Sequence, residues 1–267
     1  MARLSQVPAR DASSERTSVL STKLDYHNGR RSFPEVDRFM EKLLSYDESH
    51  YHAPDAHRPR MVPITKWVKP SGDTPIFPGG SGVRGPRFPH RGVMLLMQDF
   101  DEITRYLRAV EVGYNPQQDI TSIRASEILA EAGVDLDACF FTNRFVGVRD
   151  ADDQYGPNPG WRSPNSKKQH KPYVAMSDEM LCMQLAEQQP RLVLTYGVHV
   201  PLSLGFKTIW REKLIERASI MGHTTTIAAL VHPSFRQSNV GKVSYRGLTG
   251  HAAEIRLIKD ALTVAGF

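Results

Sequence analysis

The 267-residue chain lacks the features that mark several protein classes. Its only cysteines are Cys139 and Cys182, too few to form a structural zinc site or an iron–sulfur cluster unaided or to imply a secreted disulfide scaffold. No apolar run reaches the length of a membrane span, and no signal-peptide pattern opens the chain. Internal repeats are also absent. We therefore expect a globular protein in a reducing, cytoplasmic setting that does not enter a membrane.

Charge is the feature of the composition that suggests a partner. The formal net charge is +5 and the sequence pI is about 9.2, while 40% hydrophobic and 24% charged residues are ordinary for a globular protein. The length allows one large domain or two small ones. A basic balance fits a polyanion such as nucleic acid, although many basic proteins bind none.

The composition changes along the chain and predicts three parts. Residues 1–32 are polar without periodicity, which predicts a disordered basic tail. Residues 33–90 hold an amphipathic helix at 34–44, with Leu43 and Leu44 on its apolar face, and then a Pro/Gly-rich extension. Its Gly-rich segment lacks the Lys-Ser/Thr ending of a nucleotide-binding P-loop, so it is interpreted as a surface connection. Residues 91–267 form the third part, an α/β domain.

Four apolar, β-prone runs alternate with helical patterns in this third part. The strands are predicted at 93–97, 138–145, 191–196 and 225–231. The helices are predicted at 103–110, 123–132, 177–189 and 251–264, and a long polar loop at 149–172. The alternation predicts an α/β fold, a three-layer α/β/α sandwich with a central, mostly parallel four-stranded sheet.

Polar residues stand at or just past the carboxyl ends of three predicted strands: Asp99, Asn143 and His232. Each alone has an ordinary explanation, because Asp99 suits a helix cap, Asn143 a turn and His232 a strand-ending turn. The carboxyl ends of parallel strands lie along one edge of a sheet, where open α/β folds bind ligands. Three such residues at three strand ends therefore favour one shared site.

The segments around these residues resemble motifs of the uracil-DNA glycosylase superfamily, in the same order, over roughly residues 90–265. Met97-Gln-Asp-Phe100 resembles Gly-Gln-Asp-Pro-Tyr-His, and Phe141-Thr-Asn-Arg-Phe-Val-Gly-Val-Arg149 resembles Leu-Leu-Asn-x-x-Leu-Thr-Val-Arg. Leu194-Thr-Tyr-Gly-Val-His199 resembles a strand ending in Trp-Gly-Ser-His, and Val231-His-Pro-Ser234 resembles the His-Pro-Ser motif.

This resemblance implies a DNA glycosylase that acts on a flipped pyrimidine and needs no cofactor or metal. Asp99 then stabilises the sugar cation and orients water, and His232 stabilises the departing base anion. Asn143 reads the pairing edge of the base, since an amide offers one donor and one acceptor. Gln98 lends backbone contacts near the base, and the Gly197 loop and Ser234 pinch the DNA backbone.

The chain also departs from the family pattern. Asp101 aligns with the tyrosine that excludes 5-substituted pyrimidines, and Phe100 replaces the proline before it. The base is therefore uracil or a 5-modified pyrimidine, whose polar substituent an acidic Asp101 suits. Arg236 aligns with the inserted leucine, and Phe235 stands beside it. Either one fills the gap left by a flipped base, or both belong to an exposed loop.

Basic residues flank the motifs and are candidates for phosphate contacts, with a solvated surface as the alternative for any one of them. They are Arg144, Arg149, Arg162, Lys167, Lys168, Lys171, Arg236, Lys242 and Arg246.

Three alternatives remain beside a repair glycosylase. One is a glycosylase for a hypermodified cytosine in foreign (phage) DNA, with a defence role, which the loss of the tyrosine favours. Another is a non-catalytic nucleic-acid-binding module. The third is an unrelated α/β hydrolase, which the absence of a Gly-x-Ser-x-Gly elbow disfavours.

Overall fold

The computed structural model describes residues 38, 41–51, 61–62, 90–98, 120–135, 139–149, 171–206, 214–233 and 240–267. Its helices are α1 (Glu48–Tyr51), α2 (Ile120–Glu131), α3 (Lys171–Gln188), α4 (His199–Ser203) and α5 (Gly250–Ala265). Its strands are β1 (Met61–Val62), β2 (Val93–Met97), β3 (Cys139–Asn143), β4 (Val148–Arg149), β5 (Leu192–Tyr196), β6 (Ile215–Ile220), β7 (His223–Leu230), β8 (Ser244–Tyr245) and β9 (Leu248–Thr249). Within this part of the chain, no helix is long and apolar enough to cross a membrane.

The central sheet has five strands in the spatial order β3-β2-β5-β7-β6. β2 pairs in parallel with β3 on one side and β5 on the other, and β5 pairs in parallel with β7. β6 pairs antiparallel with β7 at the edge. The sheet is therefore mixed but mainly parallel, in an α/β fold, as the sequence pattern predicts at the coarse level.

Side chains of β2 alternate between two hydrophobic clusters, and this alternation explains its continuous apolar sequence. Val93 and Leu95 belong to a cluster that includes residues of α2 and α5, here called the α2/α5 cluster. Met94 and Leu96 belong to a second cluster with residues of α3, here called the α3 cluster. Because helical residues pack against both faces of β2, no residue within the strand needs a polar side chain toward solvent.

The N-terminal segment contributes to the same core as the sheet. Leu43 and Tyr51 are completely buried and belong to the α3 cluster. Arg38 pairs with Glu187 of α3 at 2.5 Å, which adds a polar contact at the rim of this packing. The predicted apolar face is thus confirmed at Leu43. It is wrong at Leu44, whose side chain is 47% exposed because the next helical position turns toward solvent.

The prediction of four strands is incomplete, because β6 adds a fifth. Three of its six residues, Glu216, Arg217 and Ser219, are polar, as suits a strand at an edge that is only partly covered. A two-residue turn joins β6 to β7, and both Met221 and Gly222 have positive φ, at 50° and 86°. That is the backbone of a tight hairpin of the type that Gly at its second position favours.

Helix α3 begins at Lys171, six residues before its predicted start at Ser177. Ser177 is therefore not a cap. It lies inside the helix, and its hydroxyl oxygen accepts a bond from the Val146 N–H at 3.4 Å. Pro172 does not prevent the earlier start, because proline is tolerated in the first turn of a helix. Buried Tyr173 and Met176 explain why the first turns are retained.

Other predicted elements agree with the structure or lie outside its described part. Helix α2 ends before Gly133, which has φ of +82°, and α5 matches the predicted final helix. The 1–32 tail, the Gly-rich segment and the helix at 103–110 lie outside the described residues, as does most of the loop at 149–172.

Truncation of Leu43 tests whether the N-terminal segment belongs to the folded core. We expect Leu43→Ala to lower the free energy of unfolding by about 2–5 kcal/mol, because a fully buried leucine leaves a cavity. The neighbouring Leu44→Ala serves as the matched control and should change stability by no more than about 0.5 kcal/mol. Urea unfolding measures both, and equal effects of the two variants would contradict the packing of Leu43.

Candidate active site at the carboxyl edge of the sheet

The four parallel strands end almost level at one edge, here called the carboxyl edge. Met97 lies opposite Asn143, Leu96 opposite Thr195, and Tyr196 opposite Leu230. The chain leaves β2 toward β3 but leaves β5 toward β7, on the other side of the sheet. The gap between the ends of β2 and β5 is therefore a topological switch point, the place where ligands bind in open α/β sheets.

Gln98 lies at this switch point, directly after β2. Its carbonyl oxygen accepts a bond from the Phe145 N–H at 3.0 Å, and the Met97 carbonyl accepts from the Arg144 N–H at 2.8 Å. The pairing of β2 with β3 thus continues one step beyond the strands. These two bonds fix the backbone at Gln98 relative to β3.

Asn143 is the last residue of β3 and is half-buried at the carboxyl edge. The alternation of side chains along a strand places it on the face of Cys139 and Phe141, which belong to the α2/α5 cluster. Its neighbour Thr142 points to the opposite face, where its hydroxyl donates to Oε1 of buried Gln184 in α3 at 2.9 Å. The strand end that carries Asn143 is thereby attached to a helix.

Gly197 lies beside His232 across the ends of β5 and β7, within reach of a single added methyl group. A methyl group built on Gly197 lies 3.5 Å from Cβ and 3.6 Å from Cδ2 of His232. Gly197 has φ of +77°, and its N–H donates to the Leu230 carbonyl at 2.9 Å. This backbone conformation favours glycine, whose lack of a side chain leaves space beside the half-buried histidine. The predicted loop residue Gly197 therefore supports the predicted catalytic residue His232.

Asn143 and His232 stand on the outer two of the four parallel strands. Three strand spacings separate them, or about 14 Å. At that separation the two side chains do not act on each other directly. Gln98 and Gly197 follow the two strands that lie between them.

Glu254 is a residue that the sequence patterns did not single out. It lies in α5, is 1% exposed, and its carboxylate accepts a bond from the Val231 N–H at 3.2 Å. Burying a carboxylate lowers the stability of the fold unless the carboxylate is hydrogen-bonded. Here it holds the backbone immediately before His232. The sequence does contain a sign of this role. The periodicity of α5 places Glu254 on the buried face of the helix, beside Ala253 and Leu257, where a glutamate is unusual.

Arg144 corrects one expectation about the basic residues. It is 2% exposed, so it does not contact phosphate on the surface. Its Nη2 donates to Oδ1 of Asp178 in α3, and its Nε donates to Oγ of Ser203 in α4 at 3.2 Å. Burial lowers the pKa of the guanidinium and the Asp178 carboxylate opposes that shift. The residue is an internal connection between elements.

Arg246, unlike Arg144, is accessible to solvent, although its side chain also pairs with a carboxylate of the protein. It lies at the tip of the β8–β9 hairpin and its side chain is 60% exposed. Its Nε contacts Oδ2 of Asp260 at 3.0 Å, and Asp260 also accepts from the Tyr245 hydroxyl at 3.0 Å. Lys171 and Lys242 are exposed as well. Arg149 lies in β4 opposite Met61 of β1.

The remaining predicted site residues lie outside the part of the chain that is described. They are Asp99, Phe100, Asp101, Arg162, Lys167, Lys168, Ser234, Phe235 and Arg236. The carboxyl edge thus brings together Gln98, Asn143, Gly197 and His232, while the predicted carboxylate Asp99 is known only as the residue after Gln98 in the sequence.

No cluster of three or more His, Cys, Asp and Glu side chains suited to a metal ion occurs within the described ranges. Cys139 and Cys182 are both free thiols. Burial, with a smaller contribution from Asp135, raises the pKa of Cys139 to about 12, so this thiol is not a reactive thiolate at neutral pH.

The chain matches no model of a known protein family and no curated protein.

Substitution of Gly197 tests its contact with His232. We expect Gly197→Ala to destabilise the protein by about 1–2 kcal/mol, because a side chain is strained at positive φ. Gly133→Ala is the matched control, since Gly133 has φ of +82° but no atom within 4 Å of an added methyl group. Both variants should lose similar stability in urea unfolding. Only Gly197→Ala should shift the nuclear magnetic resonance signals of the His232 ring, and unchanged signals would contradict the contact.

Substitution of Glu254 tests the hydrogen bond to the backbone before His232. Glu254→Ala leaves the buried Val231 N–H without its acceptor, and we expect a loss of about 1–3 kcal/mol in unfolding free energy. Glu254→Gln keeps an oxygen acceptor and should lose less. Thermal and urea unfolding compare the two variants. Equal losses would show that the carboxylate charge, not this hydrogen bond, determines the contribution.

Proposed function

We propose that this protein is a DNA glycosylase that hydrolyses the N-glycosidic bond of a pyrimidine flipped out of DNA and leaves an abasic site. One observation carries the proposal. Four parallel strands end level, with Gln98 and Gly197 at the switch point and Asn143 and His232 on either side of it. These residues belong to the four segments whose sequences resemble the motifs of uracil-DNA glycosylases.

The proposed fold is the three-layer α/β/α sandwich of that superfamily, enlarged by β6 at one edge. Two facts support it: residues of α2 and α5 pack with one set of β2 side chains, and residues of α3 pack with the other set. In a sandwich of this kind the carboxyl edge is open between the helical layers. A nucleotide rotated out of a duplex enters such an edge from outside the sheet.

The proposed mechanism divides the charge that develops as the bond breaks. Positive charge grows on the sugar, where Asp99 stabilises it and orients the attacking water. Negative charge grows on the departing base, where the His232 ring donates a hydrogen bond to a base oxygen. Gly197 and Glu254 hold the histidine and its backbone in place before the reaction begins, so little reorganisation is needed at the transition state.

Base recognition falls to Asn143 in this proposal. Its side-chain amide combines a donor and an acceptor, as the pairing edge of a pyrimidine does. Asn143 is half-buried, so water reaches it only in part. A base whose donor or acceptor does not match the amide leaves a polar group without a hydrogen bond, which costs free energy of binding. Gln98 lends backbone contacts near the same base in this proposal.

The substrate within this class is uracil or a 5-modified pyrimidine. Asp101 stands where uracil-specific relatives have the tyrosine that excludes a 5-substituent, so the hypermodified cytosine of foreign DNA is the second candidate. DNA is the proposed partner, and the basic residues outside the core, including exposed Arg246, are the proposed phosphate contacts. A cytoplasmic setting belongs to the same proposal, with a role in base-excision repair or in antiviral defence.

Excision from matched DNAs tests the proposal. The protein is incubated with duplexes that carry uracil, a thymine mismatch, 5-hydroxymethylcytosine or glucosylated hydroxymethylcytosine, and alkali-labile abasic sites are counted. We expect abasic sites with at least one of them. His232→Ala should slow excision by about 10²–10³-fold, the usual effect of removing a donor to a developing anion. Asp99→Ala and Asn143→Ala should also slow it strongly.

His223→Ala is the matched control, because His223 begins β7, at the end of that strand opposite to His232, and its ring Nε2 lies 3.1 Å from the Pro190 carbonyl oxygen. It should retain full activity. Circular dichroism checks that every variant is folded. Excision that survives both Asp99→Ala and His232→Ala would overturn the proposed mechanism. Salt-sensitive DNA binding without abasic sites from any duplex would favour a non-catalytic binding module instead.

A further inference from the structure

Arg144 has surroundings that stability alone does not explain. It is a nearly fully buried arginine whose carboxylate partner, Asp178, is itself 43% exposed. Its Nη1 has no hydrogen-bond partner within the described part of the chain. Replacing a buried ion pair with apolar side chains of similar volume is often neutral or stabilising. A leucine or methionine would therefore serve the core at least as well, which suggests that the guanidinium has another role.

The contacts of Arg144 join the elements that carry the candidate site. Its backbone N–H donates to Met97 at the end of β2, and its side chain contacts Asp178 in α3 and Ser203 in α4. The guanidinium also lies 4.8 Å from the centre of the Phe145 ring, and the Phe145 N–H is bound to Gln98. The planar guanidinium group has several donors in fixed directions, so it determines where its partners lie in a way that an apolar side chain does not.

Asn143 is placed between two such anchors. On one side Thr142 is bonded to Gln184 of α3, and on the other Arg144 is bonded to α3 and α4. The helix α4 follows Gly197, the residue that supports His232. The Ser203 hydroxyl that accepts from Arg144 donates in turn to the Val200 carbonyl at 2.7 Å within α4. A shift of Arg144 is therefore transmitted to both sides of the switch point.

We propose that Arg144 is a positioning residue, which holds Asn143 and the segment after Gly197 at the separation that a flipped base requires. The proposal rests on the proposed glycosylase function and adds to it a residue that touches neither base nor phosphate. It differs from the role that the sequence assigns to a basic residue beside these motifs, because a side chain that is 2% exposed does not bind the DNA backbone.

The test separates positioning from both stability and phosphate binding. The main variant is Arg144→Met with Asp178→Asn, which fills the space and removes the carboxylate charge that would be left unpaired. We expect it to fold and to excise the preferred base about 10²-fold more slowly at saturating DNA, since small displacements of a catalytic constellation have effects of that size. Its DNA affinity and the slope of log affinity against log salt should stay unchanged, because no phosphate contact is lost.

Arg191→Met is the matched control. Arg191 also joins separate segments, through bonds from its Nε to the Arg91 carbonyl at 3.2 Å and from its Nη1 to the Gly266 carbonyl at 2.7 Å. It precedes β5, so it lies at the amino ends of the strands, away from the carboxyl edge. We expect this variant to keep the wild-type rate of excision. A normal rate in the Arg144 variant, or a lower salt slope, would overturn the positioning role.

Two further measurements test the role of Arg144 without relying on the activity of the double variant. If the double variant does not fold, Ser203→Ala removes one anchor and leaves the guanidinium buried. It should lower the excision rate without changing DNA affinity, and a wild-type rate would overturn the inference. Amide hydrogen exchange needs no activity: in the double variant the amides of Phe145 and Gly197 should exchange about tenfold faster while those within β5 do not change.

The outcomes distinguish failure of the inference from failure of the proposed function. A wild-type protein that produces no abasic sites overturns the glycosylase and, with it, the positioning of a base. Faster exchange at Phe145 and Gly197 would then still support Arg144 as the connection between the strand ends. An active wild type with unchanged rate and exchange in the Arg144 variant overturns the inference about Arg144 alone.

Discussion

Everything at the carboxyl edge depends on the parallel pairing of β2 with two neighbours at once. All five of its residues are in register with β3 on one side and four of them with β5 on the other, so the ends of three strands are fixed relative to one another by backbone hydrogen bonds. A shift by one residue in either pairing would move every side chain of β2 to the opposite face, out of the cluster that now buries it. The same burial that fixes the register therefore also fixes the positions of Gln98 and Asn143.

The two ends of the parallel strands differ in their side chains and in the contacts that these side chains make. At the amino ends, the Arg191 side chain joins separate segments by donating to the carbonyls of Arg91 and Gly266. At the carboxyl edge, polar side chains replace the apolar ones as each strand ends, and their backbones remain tied to neighbours. Buried polar groups at this end, such as Glu254 and Arg144, are bonded to the segments next to His232 and Asn143. A site built in this way has little freedom to rearrange when a ligand enters.

The sequence predicts the parts of this arrangement that depend on local patterns. Continuous apolar runs identify the four parallel strands within one or two residues at most of their ends, because strands buried on both faces have no polar alternation. β6 was missed because its polar residues, Glu216, Arg217 and Ser219, interrupt any apolar run and do not alternate regularly. The start of α3 was missed because Ser177 resembles a cap residue in the sequence, while its hydroxyl accepts a bond from the Val146 N–H. At the site, strand ends predict where Asn143 and His232 lie. The contact of Gly197 with His232, and the bonds of Glu254 and Arg144, depend on residues 35, 23 and 34 to 59 positions apart, which no local pattern contains.

The long-range bonds also determine how the proposed chemistry can vary. In the proposed glycosylase, His232 and Asn143 contact one base from the ends of strands that lie about 14 Å apart, with β2 and β5 between them. A change in base preference that leaves the strand register intact must therefore come from residues added around this frame, not from movement of the frame itself. Asp101 is such a residue, since it follows Gln98 closely in sequence and replaces a bulky tyrosine of the resembling family. In the proposed glycosylase, a rigid edge with a different residue at position 101 would keep the reaction and change the pyrimidine that the site accepts.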